Sequence, residues 1–211
     1  MPTPAAAPKA LDHVVVTTPD LSAAVAEFEA ATGVRPEAGG VHPTFGTRNY
    51  LVTFGDDAYL EILGVDPENA GFSGVRPFGV DDVRETAVST WVVHPDSIEA
   101  AVEAARAAGL DLGDPFPGSR RTADGTLLEW RLTPDHAEPT GLVPFLIDWG
   151  TSTSPARSTD ARVRLIELSA THPRPEEISA VLAAVGTDLE VRPGEPSLRL
   201  TVEGPAGRLT I

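Results

Sequence analysis

Runs of β-branched residues alternate along this chain with Ala-rich stretches of helical period, and the alternation repeats. Residues 11–33 read LDHVVVTTPDLSAAVAEFEAATG, residues 88–109 VSTWVVHPDSIEAAVEAARAAG, and residues 164–186 RLIELSATHPRPEEISAVLAAVG. Each is a strand-forming run, a Pro-containing turn, then an amphipathic stretch closed by Gly. The closing residues Gly33, Gly109 and Gly186 recur at an almost constant spacing of about 76 residues, as do Pro19, Pro95 and Pro173. Asp20 and Asp96 follow a proline that cannot continue a helix, and are predicted N-caps. The closing glycines suit the left-handed position after a helix.

Strands are predicted after each helix. Residues 49–54 and 59–65 read as a hairpin about Gly55-Asp56-Asp57-Ala58. Residues 127–132 and 142–149 read as strands across a longer loop holding Pro134, Pro139 and Gly141; residues 197–202 and 207–211 pair across Gly204-Pro205-Ala206. The pattern predicts an α+β protein built of repeated βαβββ units with a shorter third βαββ unit. One such unit leaves an uncovered sheet edge, so the copies are expected to pack edge to edge. The divisions read as a disordered tail at 1–9, a first unit at 10–65, a linker at 66–85, a second unit at 86–150, a linker at 151–162 and a third unit at 163–211. The third is expected to pack on the first two, because roughly fifty residues make a marginal core alone.

Charge and composition narrow the partners. Asp plus Glu number 31 against 16 Lys plus Arg, a net charge of −15 that opposes nucleic acid and anionic membranes. Cys is absent, so disulfides, zinc fingers and cysteine nucleophiles are excluded, and any transition-metal site must draw on carboxylates and the five His. Lys9 is the single lysine, a bias that with the abundant Ala and Gly points to a high-GC bacterial source. The start of the chain has no basic and apolar leader pattern, and no apolar run has membrane-spanning length. A cytoplasmic protein is expected.

The stretches LDHVVVTTPDL at 11–21, GGVHPTFGTRNYLV at 39–52, YLEIL at 59–63, DGTLLEWRL at 124–132 and PFLIDWG at 144–150 resemble the glyoxalase-like domain of the vicinal oxygen chelate superfamily. The resemblance covers residues 10–150 well, and the third unit is similar to a C-terminal extension found in such proteins. It implies that two units curl into a U-shaped cup. It also implies a divalent metal (Zn, Mn, Fe or Ni) held by first-strand His and last-strand Glu positions, with substrates chelating through neighbouring oxygens. Isomerase, lyase and dioxygenase chemistry are all known in the superfamily, and some members bind antibiotics without a metal.

His13 stands at the first-strand ligand position. Glu61 lies between Leu60 and Ile62, so strand alternation sends it to the opposite face from them. A carboxylate on an apolar strand needs a partner or a metal, so His13 and Glu61 read either as metal ligands or as a hydrogen-bonded pair. The resemblance fails in the second unit, where Ser89 aligns with His13 and neither it nor Thr90 is a good ligand. Asp148 is the candidate opposite Glu61, and His42 is a candidate third ligand, completing a two-His, one-carboxylate set. Its alternative is a loop histidine held by the Pro43 turn. Arg48 and Asn49 are candidate substrate contacts, Arg48 as a bidentate anion binder or a surface ion pair. Trp91 and Trp149 are candidate pocket walls, with core packing as the alternative. His94 and His172 precede prolines and read as turn residues, His136 as an exposed loop residue, and Arg120, Arg121 and Glu129 as the cup mouth or a solvated strand edge.

Three functions fit. One is a metal-assisted, glyoxalase-like enzyme acting on a small oxygen-chelating molecule. Another is a metal-free protein that binds or sequesters an antibiotic-like molecule. The last is a cofactor-free enzyme with His13 and Glu61 as an acid/base pair. A homodimer is compatible with each.

Overall fold

Three helices punctuate the chain in a computed structural model that describes residues 7–55, 57–69, 71–122, 125–134 and 140–211. The first unit runs β1 (Leu11–Thr17), α1 (Leu21–Thr32), β2 (Glu37–His42), β3 (Thr47–Thr53) and β4 (Tyr59–Val65). The second runs β5 (Ala87–Val93), α2 (Ile98–Ala107), β6 (Phe116–Arg121), β7 (Leu127–Leu132) and β8 (Phe145–Asp148). The third runs β9 (Arg164–His172), α3 (Pro175–Ala184), β10 (Val191–Pro193), β11 (Ser197–Glu203) and β12 (Arg208–Thr210). A 3₁₀ turn at Pro77–Gly79 lies between the first two units.

Asp20 caps α1, its carboxylate accepting the Ala23 N–H at 3.0 Å, and Gly33 closes the helix at φ 75°. In α2 the cap is Ser97 rather than Asp96; its hydroxyl accepts the Ala100 N–H at 3.2 Å, one residue later than the sequence pattern suggested. The strand expected from residue 142 begins only at Phe145, because the Leu142 carbonyl turns aside to accept the Trp91 indole N–H at 3.0 Å. The strands β2, β6 and β10 carry Gly or Pro, which hides them from a reading based on β-branched runs.

Strands β1 to β8 form one sheet in the order β2-β3-β4-β1-β5-β8-β7-β6. At its centre β1 runs parallel to β4 and antiparallel to β5, so the two units meet along their first strands. The sheet curls until its two edges approach, and Arg120 of β6 donates to the Gly39 carbonyl of β2 at 2.7 Å. The closure needs glycine on β2. A Cβ at Gly39 would lie 2.4 Å from Asn49 Oδ1, and one at Gly40 2.9 Å from Arg120 Nη1.

Strand alternation then divides the side chains. Val14, Val16, Leu60, Ile62, Trp91, Val93 and Leu146 enter a core on the convex side with Phe28 of α1 and Val102 of α2. Val15, Tyr59, Leu63, Val92, Phe145, Ile147 and Trp149 cluster on the concave side. The third unit has its own sheet, β10-β9-β11-β12, and its Leu168, Leu182, Leu198 and Leu200 join the convex core. Thr53 ties it further to β3, donating to the Ala161 carbonyl at 2.8 Å and accepting from Val163 at 3.0 Å. Among the described residues no helix is long and apolar enough to cross a membrane.

This shared core makes a testable coupling. All three tryptophans belong to the second unit, whereas Leu200, fully buried, belongs to the third. Leu200→Ala should cost about 2–5 kcal/mol and move the whole tryptophan-fluorescence unfolding curve in guanidinium to lower denaturant. An unmoved tryptophan transition, with a separate early loss of β-structure, would show that residues 163–211 unfold by themselves.

Candidate active site

The concave face of the sheet encloses a cavity of about 170 Å³. Its walls are apolar and aromatic, with Phe78, Phe116, Trp130, Phe145 and Trp149 prominent. Phe78 stacks on Phe145 at 5.4 Å, and Trp130 leans on Trp149 at 5.5 Å. Polar groups reach it from β1, β2, β3, β4 and β6: His13, His42, Thr47, Asn49, Glu61 and Arg120.

Glu61 is 8% exposed and is held at one carboxylate oxygen. The Asn49 amide donates to Oε1 at 2.5 Å, while Oε2 lies 3.7 Å from His13 Nε2. The other ring nitrogen of His13, Nδ1, is 2.6 Å from Asp12 Oδ1. The Trp149 indole N–H donates to Asp12 Oδ2 at 2.9 Å. Asp12 sits where the β1–β5 register slips between Leu11 and His13, and such an irregularity re-aims side chains. With the buried Asp12 carboxylate beside Nδ1, Nε2 is the ring nitrogen that faces Glu61 and the cavity. Tyr59 stacks on the His13 ring at 4.6 Å, fixing its plane. Burial, with the Asp12 and Glu61 charges adding to it, raises the Tyr59 phenol well above its ordinary value and keeps it protonated.

His42 stands in the same wall, its Nδ1 3.1 Å from the Thr47 hydroxyl. Desolvation by burial lowers its pKa from the usual 6.5; Glu61 opposes that shift, Arg120 reinforces it and Asp66 opposes it.

His13, His42, Asn49, Glu61 and Trp149 are thus brought to one pocket. Arg48, Trp91 and Asp148 are not, and strand parity is the reason. Arg48 lies between Thr47 and Asn49 on the other side of β3 and pairs with Asp66 at 2.9 Å and Glu68 at 3.2 Å. Trp91 is fully buried in the convex core. Phe145, Ile147 and Trp149 take the concave side of β8, so Asp148 turns outward to Arg131 at 2.6 Å; that guanidinium and the Gly150 N–H hold its carboxyl below the usual range. Ser89 of the second unit, aligned with His13, falls at another register slip and pairs with the Thr17 hydroxyl. His94, 3.8 Å from Asp12 Oδ2, lies outside the pocket lining, and His172 accepts the Arg174 N–H at 3.1 Å in the turn before α3. His136 lies outside the described residues.

Sequence reasoning missed Asp12, Tyr59 and Phe145; Arg120, read as the cup mouth or a solvated strand edge, lines the cavity. Tyr59 shares parity with Glu61, and Phe145 with Trp149, so both were available once the concave face was fixed.

A catalytic divalent metal takes three protein donors. Here His13 and Glu61 approach each other as a pair, Glu61 Oε1 is engaged by Asn49, and a guanidinium shares the cavity. Among the described residues no three His, Cys, Asp or Glu side chains are grouped to hold a metal. The described residues do not supply that donor set.

The profile of the glyoxalase-like domain matches residues 11–186. No curated protein matches the sequence. A hypothetical protein from Staphylococcus aureus is similar in fold, with a TM-score of 0.63 and 17% identity over 95% of this chain and 84% of that one. A substituted methylmalonyl-CoA epimerase from Streptomyces coelicolor, in complex with 2-nitronate-propionyl-CoA, gives 0.46 and 21% over 69% of this chain and 97% of that one. A methylmalonyl-CoA epimerase in complex with methylmalonyl-CoA and NH4+ gives 0.47 and 22% over 69% and 97%.

His42 reports the dryness of the pocket wall. Its folded pKa is lowered, so below about pH 6.5 the unfolded chain binds more protons than the folded one. This contribution to stability is fully present above that pH and falls away as the pH drops towards the folded pKa. In urea unfolding between about pH 7.5 and about pH 5, His42→Gln should lose less stability than the wild type. Parallel pH dependences would show that His42 is solvated.

Proposed function

The chain belongs to the glyoxalase-like domain family of the vicinal oxygen chelate superfamily, and we propose that it is an enzyme that moves a proton on a small, mostly apolar, carbonyl-bearing molecule. The observation that carries this reading is the Asn49–Glu61–His13–Asp12 chain, set into a cavity otherwise walled by aromatic rings. An apolar cup with a few convergent polar groups is the usual form of a small-molecule site.

Glu61 is the base. Asn49 occupies one oxygen and fixes the plane of the carboxylate, which leaves Oε2 to take a proton from carbon next to a carbonyl. His13 Nε2, 3.7 Å from that oxygen, receives the proton or returns it to the other end of the enolate. Asp12 keeps the imidazole in the right tautomer and stabilises its cation, as the buried carboxylate does in other carboxylate–histidine pairs. The Tyr59 ring and the flanking aromatic residues exclude water, which strengthens each of these interactions. The balance is simple: one C–H proton moves to a carboxylate, an enolate forms, and the proton returns at the same or the neighbouring atom.

The aromatic walls favour a second reading, a protein that only binds and sequesters a planar molecule. The two separate on Glu61→Gln. With a panel of ketones, 2-oxo acids and thioesters in D2O, the wild type should exchange deuterium next to the carbonyl. Glu61→Gln should lower the rate roughly 10²–10⁴-fold while retaining binding. Binding with no exchange by the wild type would leave the sequestering reading. Exchange lost on chelator treatment and restored by Zn, Mn, Fe or Ni would return the chemistry to a metal.

A further inference from the structure

We infer that the pocket is built for a carboxylate anion, with Arg120 as its counter-charge, so that the substrate is a small planar carboxylic acid. The position of its reactive carbonyl, towards Glu61, rests on the proton-transfer reading above; the anion site does not.

Arg120 is 7% exposed and lines the cavity. A guanidinium stays charged and carries five N–H donors. Among the described residues one hydrogen bond is made, from Nη1 to the Gly39 carbonyl at 2.7 Å, and no carboxylate lies within ion-pairing distance. The half-buried arginines of this region behave differently: Arg48 meets Asp66 and Glu68, and Arg76 meets Asp81. So do arginines at the surface, such as Arg106 with Glu103, Asp111 and Asp114, and Arg131 with Glu99 and Asp148. In a chain with 31 acidic residues, an arginine buried without one stands out. Removing a charge from water without a partner is costly, and an anionic ligand in the cavity offsets that cost.

The position is right for the proposed chemistry. The Arg120 charge is felt at His42 and Tyr59, the same two side chains that feel Glu61. Cation and base therefore face one space. Phe116 of β6 and Trp130 of β7 flank that side with flat apolar surface. One guanidinium matches one carboxylate in a two-point fork. A net charge of −15 disfavours ligands with several negative charges.

The test uses two probes with the same benzyl ketone body, phenylpyruvate and its uncharged counterpart benzyl methyl ketone, titrated calorimetrically into the full chain. The wild type should bind phenylpyruvate at least about tenfold more tightly. Arg120→Gln, which removes the charge but keeps an amide donor, should erase the preference, and Arg120→Lys should keep part of it. Thermal midpoints show whether each variant is folded; if Arg120→Gln is not, the wild-type preference and its weakening in Arg120→Lys decide. Equal affinities in the wild type, a preference that survives Arg120→Gln, or no binding of either probe at millimolar concentration would overturn the inference. Deuterium exchange at the benzylic carbon, read in wild type and Glu61→Gln, keeps the two proposals apart. A carboxylate preference without Glu61-dependent exchange upholds the anion site and removes the proton transfer. Glu61-dependent exchange of both probes with no preference does the reverse.

Discussion

The closing contact between the two edges of the curled sheet is the constraint on which the rest of this structure depends. Edge strands carry unpaired backbone groups and invite further pairing. Here β2 and β6 instead face one another across the curl, and Arg120 reaches the Gly39 carbonyl. The contact sets the bore of the cup, because the backbone of Gly39 and Gly40 comes within reach of Asn49 and Arg120 only without side chains. Asn49 is the residue that orients Glu61. Edge closure and the placement of the base are therefore one packing problem, solved by the same two glycines.

Period-two alternation does the remaining work. A single strand such as β4 writes Leu60 and Ile62 into the convex core and Tyr59, Glu61 and Leu63 onto the cup. The convex core is sealed by helices and by the third unit, so its stability does not require an apolar cup. That division lets the concave face carry His13, Asn49, Glu61 and Arg120, and Asp12 behind His13, with little access to water. Such a chain of polar groups is costly to bury unless its members satisfy one another, and most of these do. Arg120 is the member whose charge has, among the described residues, no protein carboxylate within ion-pairing distance.

The repeat was legible because it is local: caps, prolines and closing glycines act within a few residues, and the glycines at 33, 109 and 186 all have positive φ. The fold class followed from it, and the family from the motifs around His13, His42 and Glu61. Half of the candidate site was legible for a similar reason, since parity relative to Leu60 and Ile62 put Glu61 on the opposite face. Parity alone does not say which face is concave. That ambiguity separates Asp148 from Trp149 and Arg48 from Asn49, neighbours that the curl sends to opposite sides. Arg120 was legible only as a cup-mouth or strand-edge residue, together with Arg121 and Glu129. Its strand contains Pro117 and Gly118, and its partner is a carbonyl 81 positions away. Nothing in the local sequence distinguishes it from Arg121 beside it, which donates to Gly125 in its own turn.

The strongly acidic surface and the single buried guanidinium act at different ranges, and their combination bears on what the cup admits. The long-range field of a −15 protein repels anions, and it is screened within roughly one Debye length of ~8 Å at physiological salt. Inside the aromatic walls that screening is lost, and one nearby cation outweighs many distant carboxylates. A ligand with one negative charge meets modest repulsion outside and a matched partner within. A polyanion meets repulsion that grows with its charge and finds the same single partner. Aromatic surface adds a third filter, because a small hydrated anion leaves the rings of Phe116, Trp130 and Trp149 uncovered. Selection for a flat, singly charged molecule then follows from where the charges sit, without any residue dedicated to rejecting the others.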